Sequence, residues 1–286
     1  MIHGTVVAAY GKRYDVELHE GSVISCVTRG KKSELACGDH VSIKLTSAGE
    51  GVVEQFNERT SLLYRSNEFR KKLLAANVTQ MILVVAARPS FYLELLDRAL
   101  IAAETEHIRA IILLNKCDLP ESREAAAQLQ PYANLGYNVI QISAQGDLSP
   151  LQPWLQGQTS ILVGQSGMGK STLVNALLPD AKSRTREISS VLDGGKHTTT
   201  AAHLYHLNDD SHLIDSPGLQ EFGLSHLSFD QIEHGFVEFR PYLGKCRFNN
   251  CRHASEPGCA IHAAIESGKV SAERLACFRK LVGNSA

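Results

Sequence analysis

A glycine-rich segment near the middle of the chain has the residue types and spacing that bind phosphate groups. Gly164, Gly169, Lys170 and Ser171 match the pattern G-x-x-x-x-G-K-S, whose backbone N–H groups wrap phosphates. In this pattern the lysine contacts the β- and γ-phosphates, and the serine hydroxyl binds Mg²⁺. An apolar run precedes the segment and a helical pattern follows it, as such a loop requires. The predicted phosphate-binding residues are Gly164, Gln165, Ser166, Gly167, Met168, Gly169, Lys170, Ser171 and Thr172.

Two segments further along the chain are expected to complete the phosphate and Mg²⁺ site. Asp215 and Gly218 belong to the tetrapeptide DSPG, which follows an apolar run. We expect Asp215 to hold Mg²⁺ through water and the Gly218 N–H to contact the γ-phosphate. A threonine run, TTT at 198–200, lies between the two motifs and can supply a further Mg²⁺ ligand. We expect Thr199 to be that ligand together with Ser171, while its two neighbours stay open as alternatives.

The quartet NKCD at 115–118 closes the apolar run AIILL and predicts a site that reads the guanine base. The Asp118 carboxylate can accept hydrogen bonds from guanine N1–H and the 2-amino group, whereas adenine has no donor at either position. Ala144 follows a second apolar run, and its N–H can donate to guanine O6. These features favour GTP over ATP and so disfavour a P-loop ATPase of another pathway. The predicted base-reading residues are Asn115, Lys116, Cys117, Asp118, Ser143 and Ala144.

The order of these motifs differs from that of an ordinary GTPase, because here the base reader precedes the phosphate loop. In open α/β sheets, ligands bind outside the carboxyl ends of the strands. Each motif follows a strand-like run, so we expect all of them to meet at one edge of one sheet. Joining the original ends and cutting elsewhere would produce this order, and the sequence therefore predicts a circular permutation.

A cluster of cysteine and histidine near the C-terminus predicts a zinc site. Its spacing is Cys-x4-Cys-x-His-x5-Cys, and three thiolates with one imidazole fill a tetrahedral shell. We expect structural rather than catalytic zinc, since the protein supplies all four ligands; reduced cysteines in a small core are the alternative. The predicted ligands are Cys246, Cys251, His253 and Cys259, whereas Cys26, Cys37, Cys117 and Cys277 are expected to be plain thiols.

The hydrophobic pattern divides the 286-residue chain into three segments. Residues 1–68 contain five short strand-like runs, which favour an all-β OB-fold barrel over another small β fold that serves as a protein-contact module. Residues 69–222 alternate strand and helix patterns, which predict an α/β P-loop GTPase domain. Residues 223–286 carry the cysteine cluster and two helical patterns, so we expect a mainly α zinc-binding domain.

Composition and charge narrow the classes of partner. The chain is 43% hydrophobic and 21% charged, as in ordinary globular proteins. Its apolar runs are too short to span a membrane and no secretory signal is recognisable, so we expect a cytoplasmic protein. Lys and Arg number 11 against 9 Asp and Glu in residues 1–72, 10 against 18 in 73–239, and 8 against 3 in 240–286. The basic ends suit an RNA backbone. The expected RNA contacts are Arg29, Lys31, Lys32, Arg65, Arg70, Lys71, Lys72, Arg274, Arg279 and Lys280.

With this motif order, a β-rich N-terminus and a Cys-Cys-His-Cys tail, the chain resembles the RsgA (YjeQ) family of circularly permuted GTPases over its full length. The resemblance implies an OB-fold, a permuted GTPase domain and a zinc domain. It also implies that the protein binds GTP or GDP, Mg²⁺ and one Zn²⁺. The implied partners are the small (30S) ribosomal subunit and its 16S rRNA, late in subunit maturation, with GTP hydrolysis stimulated by the ribosome. We expect a monomer.

The group that positions the attacking water is less clearly specified. Many GTPases have glutamine directly after the D-x-x-G motif, where this chain has Leu219 and places Gln220 one residue later. We therefore expect slow intrinsic hydrolysis. His197 is a candidate for the water-positioning group, although a loop or RNA contact is the alternative for it. The expected catalytic set is His197, Thr199 and Lys170. The alternative function is a nucleotide-dependent RNA- or ribosome-binding module with negligible turnover.

Overall fold

The computed structural model describes residues 2–29, 35–67, 70–178, 202–216, 224 and 226–283, with the backbone alone for 65–67 and 70–72. Several predicted residues lie outside these ranges: Lys31, Lys32, His197, Thr199 and Gly218. The side chains of Arg65, Arg70, Lys71 and Lys72 are likewise outside the description. Within it, the chain forms an N-terminal β-barrel, a central α/β domain and a C-terminal helical part.

The described N-terminal residues form a closed barrel of five strands. They are β1 (Ile2–Ala9), β2 (Arg13–Leu18), β3 (Val23–Thr28), β4 (His40–Ser47) and β5 (Glu50–Phe56). The strand order is β1-β2-β3-β5-β4, and β4 also pairs with β1, which closes the barrel. Buried apolar side chains such as Val6, Val16 and Ile43 fill the interior. This order is that of a five-stranded OB-type barrel and confirms the predicted N-terminal fold.

A hairpin of β6 (Leu62–Asn67) and β7 (Arg70–Ala76) follows the barrel. Asn77 ties the hairpin to the barrel. Its Nδ2 donates to the Gly38 carbonyl at 2.9 Å, and its Oδ1 accepts from the Thr60 N–H at 2.9 Å. The amide of Asn77 is therefore one of the connections between the hairpin and the barrel.

The central domain is a mainly parallel sheet in the order β10-β9-β8-β11-β13-β12. Strand β12 runs antiparallel to β13, and it also pairs with β1 through Ala8 and His203, so the barrel continues the sheet. Every residue of β8 is buried, as expected for a parallel strand with helices on both faces. The strands are β8 (Gln80–Ala86), β9 (Arg109–Asn115), β10 (Asn138–Gln141), β11 (Thr159–Val163), β12 (His203–Asn208) and β13 (Ser211–Asp215). The helices are α1 (Leu93–Thr105), α2 (Ser122–Asn134), α3 (Gln152–Leu155) and α4 (Lys170–Leu177).

The described C-terminal residues form helices α5 (Phe229–Gly235), α6 (Ala260–Glu266) and α7 (Ala272–Gly283), with a 3₁₀ turn at Arg240–Tyr242. Their core is aromatic. The ring of Phe236 stacks on that of Phe239 at 4.9 Å, and both meet Phe278 edge-on at 5.5 Å. Among the described residues, no helix combines the length and the apolar character needed to cross a bilayer.

The C-terminal part packs on helix α1 through a buried ion-pair network. Arg274 pairs with Asp97 of α1 and with Glu238, at 2.5 Å for the latter, and only 13% of its side chain is exposed. The prediction that Arg274 contacts RNA is therefore wrong, since its guanidinium is used inside the protein. Arg279 donates to the carbonyls of His253 and Ala254, whereas Lys280 pairs with Glu94 and stays exposed.

Candidate nucleotide site and metal centre

A single buried side chain joins three of the predicted nucleotide-binding segments. Asn115 is the last residue of β9 and is 1% exposed. Its Nδ2 donates to the carbonyl of Met168 in the glycine-rich loop at 2.9 Å. Its Oδ1 accepts from the Ala144 N–H at 2.9 Å. The structure thus brings the NKCD quartet, the Ser-Ala pair and the phosphate loop to one place, although they are far apart along the chain.

Lys116 adds a second connection between the quartet and the phosphate loop. Its backbone has a φ of +60°, and its Nζ donates to the carbonyls of Gly167 and Arg88, both at 2.7 Å. The stem of the lysine therefore extends from the quartet to the loop. Because both carbonyls belong to backbone near the loop, the ammonium group fixes the loop relative to β9.

Asp118 carries the charge that reading of a guanine base requires. Its carboxylate is exposed, and the hydrogen bond from Ser143 is the main cause that holds its pKa below the ordinary value. An ionised carboxylate is only an acceptor, and it suits the two donors on the edge of guanine. The preceding residue, Cys117, is partly buried: its N–H donates to the Ile142 carbonyl at 3.1 Å, and burial raises the pKa of its thiol.

Three positions of the loop require glycine, because the backbone there has a positive φ and lies close to neighbouring atoms. Gly164, Gly167 and Gly169 have φ values of +151°, +82° and +93°. A Cβ at Gly164 would lie 2.2 Å from the Val84 carbonyl oxygen, and one at Gly169 would lie 2.3 Å from Asn115 Nδ2. Alanine at 169 would therefore push the loop away from Asn115, and alanine at 164 would push it away from strand β8.

A lysine and an aspartate provide opposite charges beside the loop. The Nζ of Lys170 donates to the carbonyls of Gly164 and Gln165, the latter at 2.8 Å. Burial lowers the pKa of Lys170 and raises the pKa of Asp215, and the attraction between the two charges opposes both shifts. Ser171 and Thr172 are exposed at the start of α4. An ammonium group, a helix N-terminus, a hydroxyl and a carboxylate therefore fit a phosphate group with Mg²⁺.

The four predicted zinc ligands converge in the C-terminal part. Their ligand atoms all lie within 4.8 Å of one another. His253 Nδ1 is 3.2, 3.6 and 3.7 Å from the Sγ atoms of Cys259, Cys251 and Cys246. Bond lengths of about 2.3 Å to sulfur and about 2.1 Å to nitrogen place such ligands about 3.6 Å apart around a tetrahedral ion. The donor set and its spacing therefore fit zinc.

Glu233 holds the histidine of this centre and was not foreseen from the sequence. Its Oε1 lies 2.5 Å from His253 Nε2, so the ring donates Nε2–H and presents Nδ1 to the thiols. Carboxylates commonly orient metal-bound histidines in this way. Glu233 is on α5, 20 residues upstream of His253, and nothing in the spacing of the cluster indicates it.

Comparison with known proteins gives matches over nearly the whole chain. Residues 56–225 match the family model described as RsgA GTPase. The Small ribosomal subunit biogenesis GTPase RsgA of Nitrosomonas europaea is 53% identical over 283 residues, which cover 98% of this chain and 90% of that protein. The protein of the same name from Nitrosospira multiformis is 51% identical, with 99% and 91% covered.

Two solved structures share the fold over the same extent. YjeQ from Thermotoga maritima has a TM-score of 0.74 and 28% identity, with 99% of this chain and 98% of that chain covered. YloQ, described as a circularly permuted GTPase, has a TM-score of 0.72 and 28% identity, with 100% and 95% covered. The predicted fold class of barrel, permuted GTPase domain and C-terminal cysteine-containing helices is confirmed.

Proposed function

Because the chain belongs to the RsgA GTPase family, we propose that it hydrolyses GTP to GDP and phosphate in the biogenesis of the small ribosomal subunit. One observation carries the proposal. The side chain of Asn115 links the base-reading quartet, Ala144 and the phosphate loop by hydrogen bonds of 2.9 Å. A single guanine nucleotide can contact all three segments only when they are held together in this way.

The proposed site divides the nucleotide between two groups of residues. Asp118 accepts from guanine N1–H and the 2-amino group. The Ala144 N–H, which donates to Asn115 Oδ1, is proposed to share its hydrogen with guanine O6 when the nucleotide is bound. The loop from Gly164 to Thr172 wraps the phosphates, and Lys170 with the α4 N-terminus stabilises the charge that develops on the γ-phosphate. The Mg²⁺ ligands proposed are Ser171 and Thr199, with Asp215 acting through water. Gly218 is proposed to contact the γ-phosphate, and His197 to position the attacking water.

We propose that the C-terminal cluster holds one structural Zn²⁺. Zinc would form four bonds to the segment 246–259. These bonds would stabilise a part of the chain whose own hydrophobic core centres on a few aromatic side chains. Glu233 is proposed to orient His253, as the 2.5 Å contact supports. Since the protein supplies all four ligands, this ion takes no part in hydrolysis.

We propose binding to the 30S subunit through its 16S rRNA by a cytoplasmic monomer, with domains at residues 1–68, 69–222 and 223–286. The exposed Lys280 and the basic residues of the N-terminal segment support a contact with the phosphate backbone.

The experiment measures phosphate release from GTP with and without purified small subunits. We expect slow release by the free protein and a marked stimulation by subunits, with ATP inactive in both cases. Asp118→Asn should lose activity on GTP and gain it on XTP, because xanthine has a carbonyl where guanine has the 2-amino donor. Absence of stimulated release would instead support a ribosome-binding module with negligible turnover. Unchanged GTP activity in Asp118→Asn would overturn the base-reading role.

A further inference from the structure

A pair of histidines on the β12–β13 hairpin lies outside both sites described above. His206 and His212 are direct cross-strand partners, and their Nδ1 atoms are 2.9 Å apart. The other ring nitrogen of His206, Nε2, lies 2.5 Å from Oε2 of Glu17 on barrel strand β2. The three side chains therefore form one connected row across the junction between the barrel and the central sheet.

The carboxylate determines which nitrogen of His206 can bind a metal. An ionised carboxylate is only an acceptor, so the hydrogen in the contact with Glu17 belongs to His206 Nε2. In the neutral ring, Nδ1 then carries a lone pair that faces Nδ1 of His212. A carboxylate that fixes one ring nitrogen while the other faces an ion is the common arrangement around metal-bound histidine.

The distance between the two nitrogens indicates the type of ion. Two nitrogens that each lie about 2.05 Å from one ion, and 2.9 Å from each other, subtend an angle of about 90° at that ion. This angle suits square-planar or octahedral coordination, which Ni²⁺ and Cu²⁺ adopt with nitrogen ligands. A tetrahedral ion needs a wider angle.

The solvent exposure of His206 and the groups around His212 are also suitable for binding a cation. The His206 side chain is 46% exposed, so water can fill the remaining coordination positions. His212 faces the carboxylates of Glu17 and Asp210 as well as the imidazole rings of His206 and His40. Burial is the main cause that lowers the pKa of His212, and a lowered pKa favours the neutral imidazole that ligates metals.

We propose that His206 and His212 form an additional metal site, which takes a divalent transition metal ion such as Ni²⁺ or Cu²⁺ through their Nδ1 atoms. Glu17 is a positioning residue in this site, because it acts through His206. An ion bound here stiffens the junction between the barrel and the hairpin whose strand β13 ends at Asp215. A simple N–H···N hydrogen bond between the rings is the competing explanation, and it predicts no metal binding.

The test is a calorimetric titration of the untagged, zinc-loaded full chain with Ni²⁺ at pH 8, with zinc release followed by an indicator dye. We expect one Ni²⁺ bound per chain without loss of zinc. His206→Ala and His212→Ala should each abolish this binding, whereas His19→Ala, at an exposed barrel position, should retain it. Glu17→Gln should weaken the affinity about 10- to 100-fold.

Binding of Ni²⁺ that is equal in the wild type and in both histidine variants would overturn the proposal, as would no binding by the wild type. The conservative variants His206→Gln and His212→Gln guard against misfolding, since their thermal transitions and zinc contents can be compared with those of the wild type. Loss of binding in a folded glutamine variant supports the site. Unchanged affinity in Glu17→Gln would overturn the role of Glu17.

Discussion

The two hydrogen bonds of the Asn115 side chain explain why the first residue of the NKCD quartet is an asparagine. Its side chain donates to the Met168 carbonyl and accepts from the Ala144 N–H, both at 2.9 Å. Aspartate at this position could not donate, and alanine could do neither. Because the site is buried, each group left without a partner would cost about 1–3 kcal/mol. The residue therefore acts chiefly on the position of the loop.

Gly169→Ala should damage the site more than glycine substitution at an open position. The new Cβ would lie 2.3 Å from Asn115 Nδ2, and the φ of +93° adds backbone strain. We expect a loss of about 2–4 kcal/mol in the free energy of unfolding and a large drop in GDP affinity, because strain of about 1–2 kcal/mol combines with a displaced hydrogen bond. Urea unfolding and GDP titration measure both.

Gly157→Ala is the matched control for this substitution. Its φ is +67°, but a Cβ there would meet nothing within 4 Å. Only the backbone strain should remain, so the expected loss is about 1–2 kcal/mol with unchanged GDP affinity. Equal effects of the two substitutions on GDP binding would contradict the role assigned to the contact between Gly169 and Asn115.

Helix α1 connects the central domain to the C-terminal helices through buried charges. Asp97 accepts from the Tyr132 hydroxyl at 2.7 Å and pairs with Arg274 of α7. The Arg274 guanidinium also lies 4.5 Å from the centre of the Phe236 ring. Two buried carboxylates, Asp97 and Glu238, thus depend on one cation.

Arg274→Leu should strongly destabilise the protein, because it leaves the two buried carboxylates without the positive charge that compensates theirs. We expect a loss of about 3–5 kcal/mol in the free energy of unfolding. Lys280→Ala on the same helix removes an exposed pair with Glu94 and should cost about 1 kcal/mol or less. Denaturant unfolding of both variants measures the difference, and similar losses would show that the Arg274 network contributes no more than a surface ion pair.

Glu233→Gln tests the link between α5 and the proposed zinc centre. The amide is a weaker acceptor for His253 Nε2–H than the carboxylate, so we expect zinc affinity to fall about 10- to 100-fold. Competition with a chromophoric chelator measures the affinity. Glu266→Gln, at an exposed position on α6, is the control and should leave it unchanged. An unchanged affinity in Glu233→Gln would show that the 2.5 Å contact does not orient the ligand.

The parts of the molecule that were predictable from sequence are those specified by contiguous residues. The loop at 164–171, the quartet at 115–118 and the cysteine cluster each have a fixed local spacing. Contacts between distant segments have no such spacing. Arg274 is an example, since it belongs to a helix with further basic residues and its burial depends on Asp97, 177 residues away. Glu233 escaped prediction for the same reason.

The topology of the sheet explains how motifs in this chain order can form one site. Strand β11, which leads into the phosphate loop, lies between β8 and β13, and β9 lies on the far side of β8. These strands are parallel, so their carboxyl ends share one edge. The loop after β11 therefore reaches Asn115 at the end of β9, although it comes later in the chain. A circular permutation preserves this arrangement in space.

The most direct measurement is a crystal structure of the protein with GDP and Mg²⁺. We expect the guanine edge to lie within hydrogen-bond distance of the Asp118 carboxylate, while the diphosphate is wrapped by the backbone of residues 164–171. A base bound away from Asp118, with the diphosphate still in the loop, would contradict the central claim that these separate segments bind one guanine nucleotide.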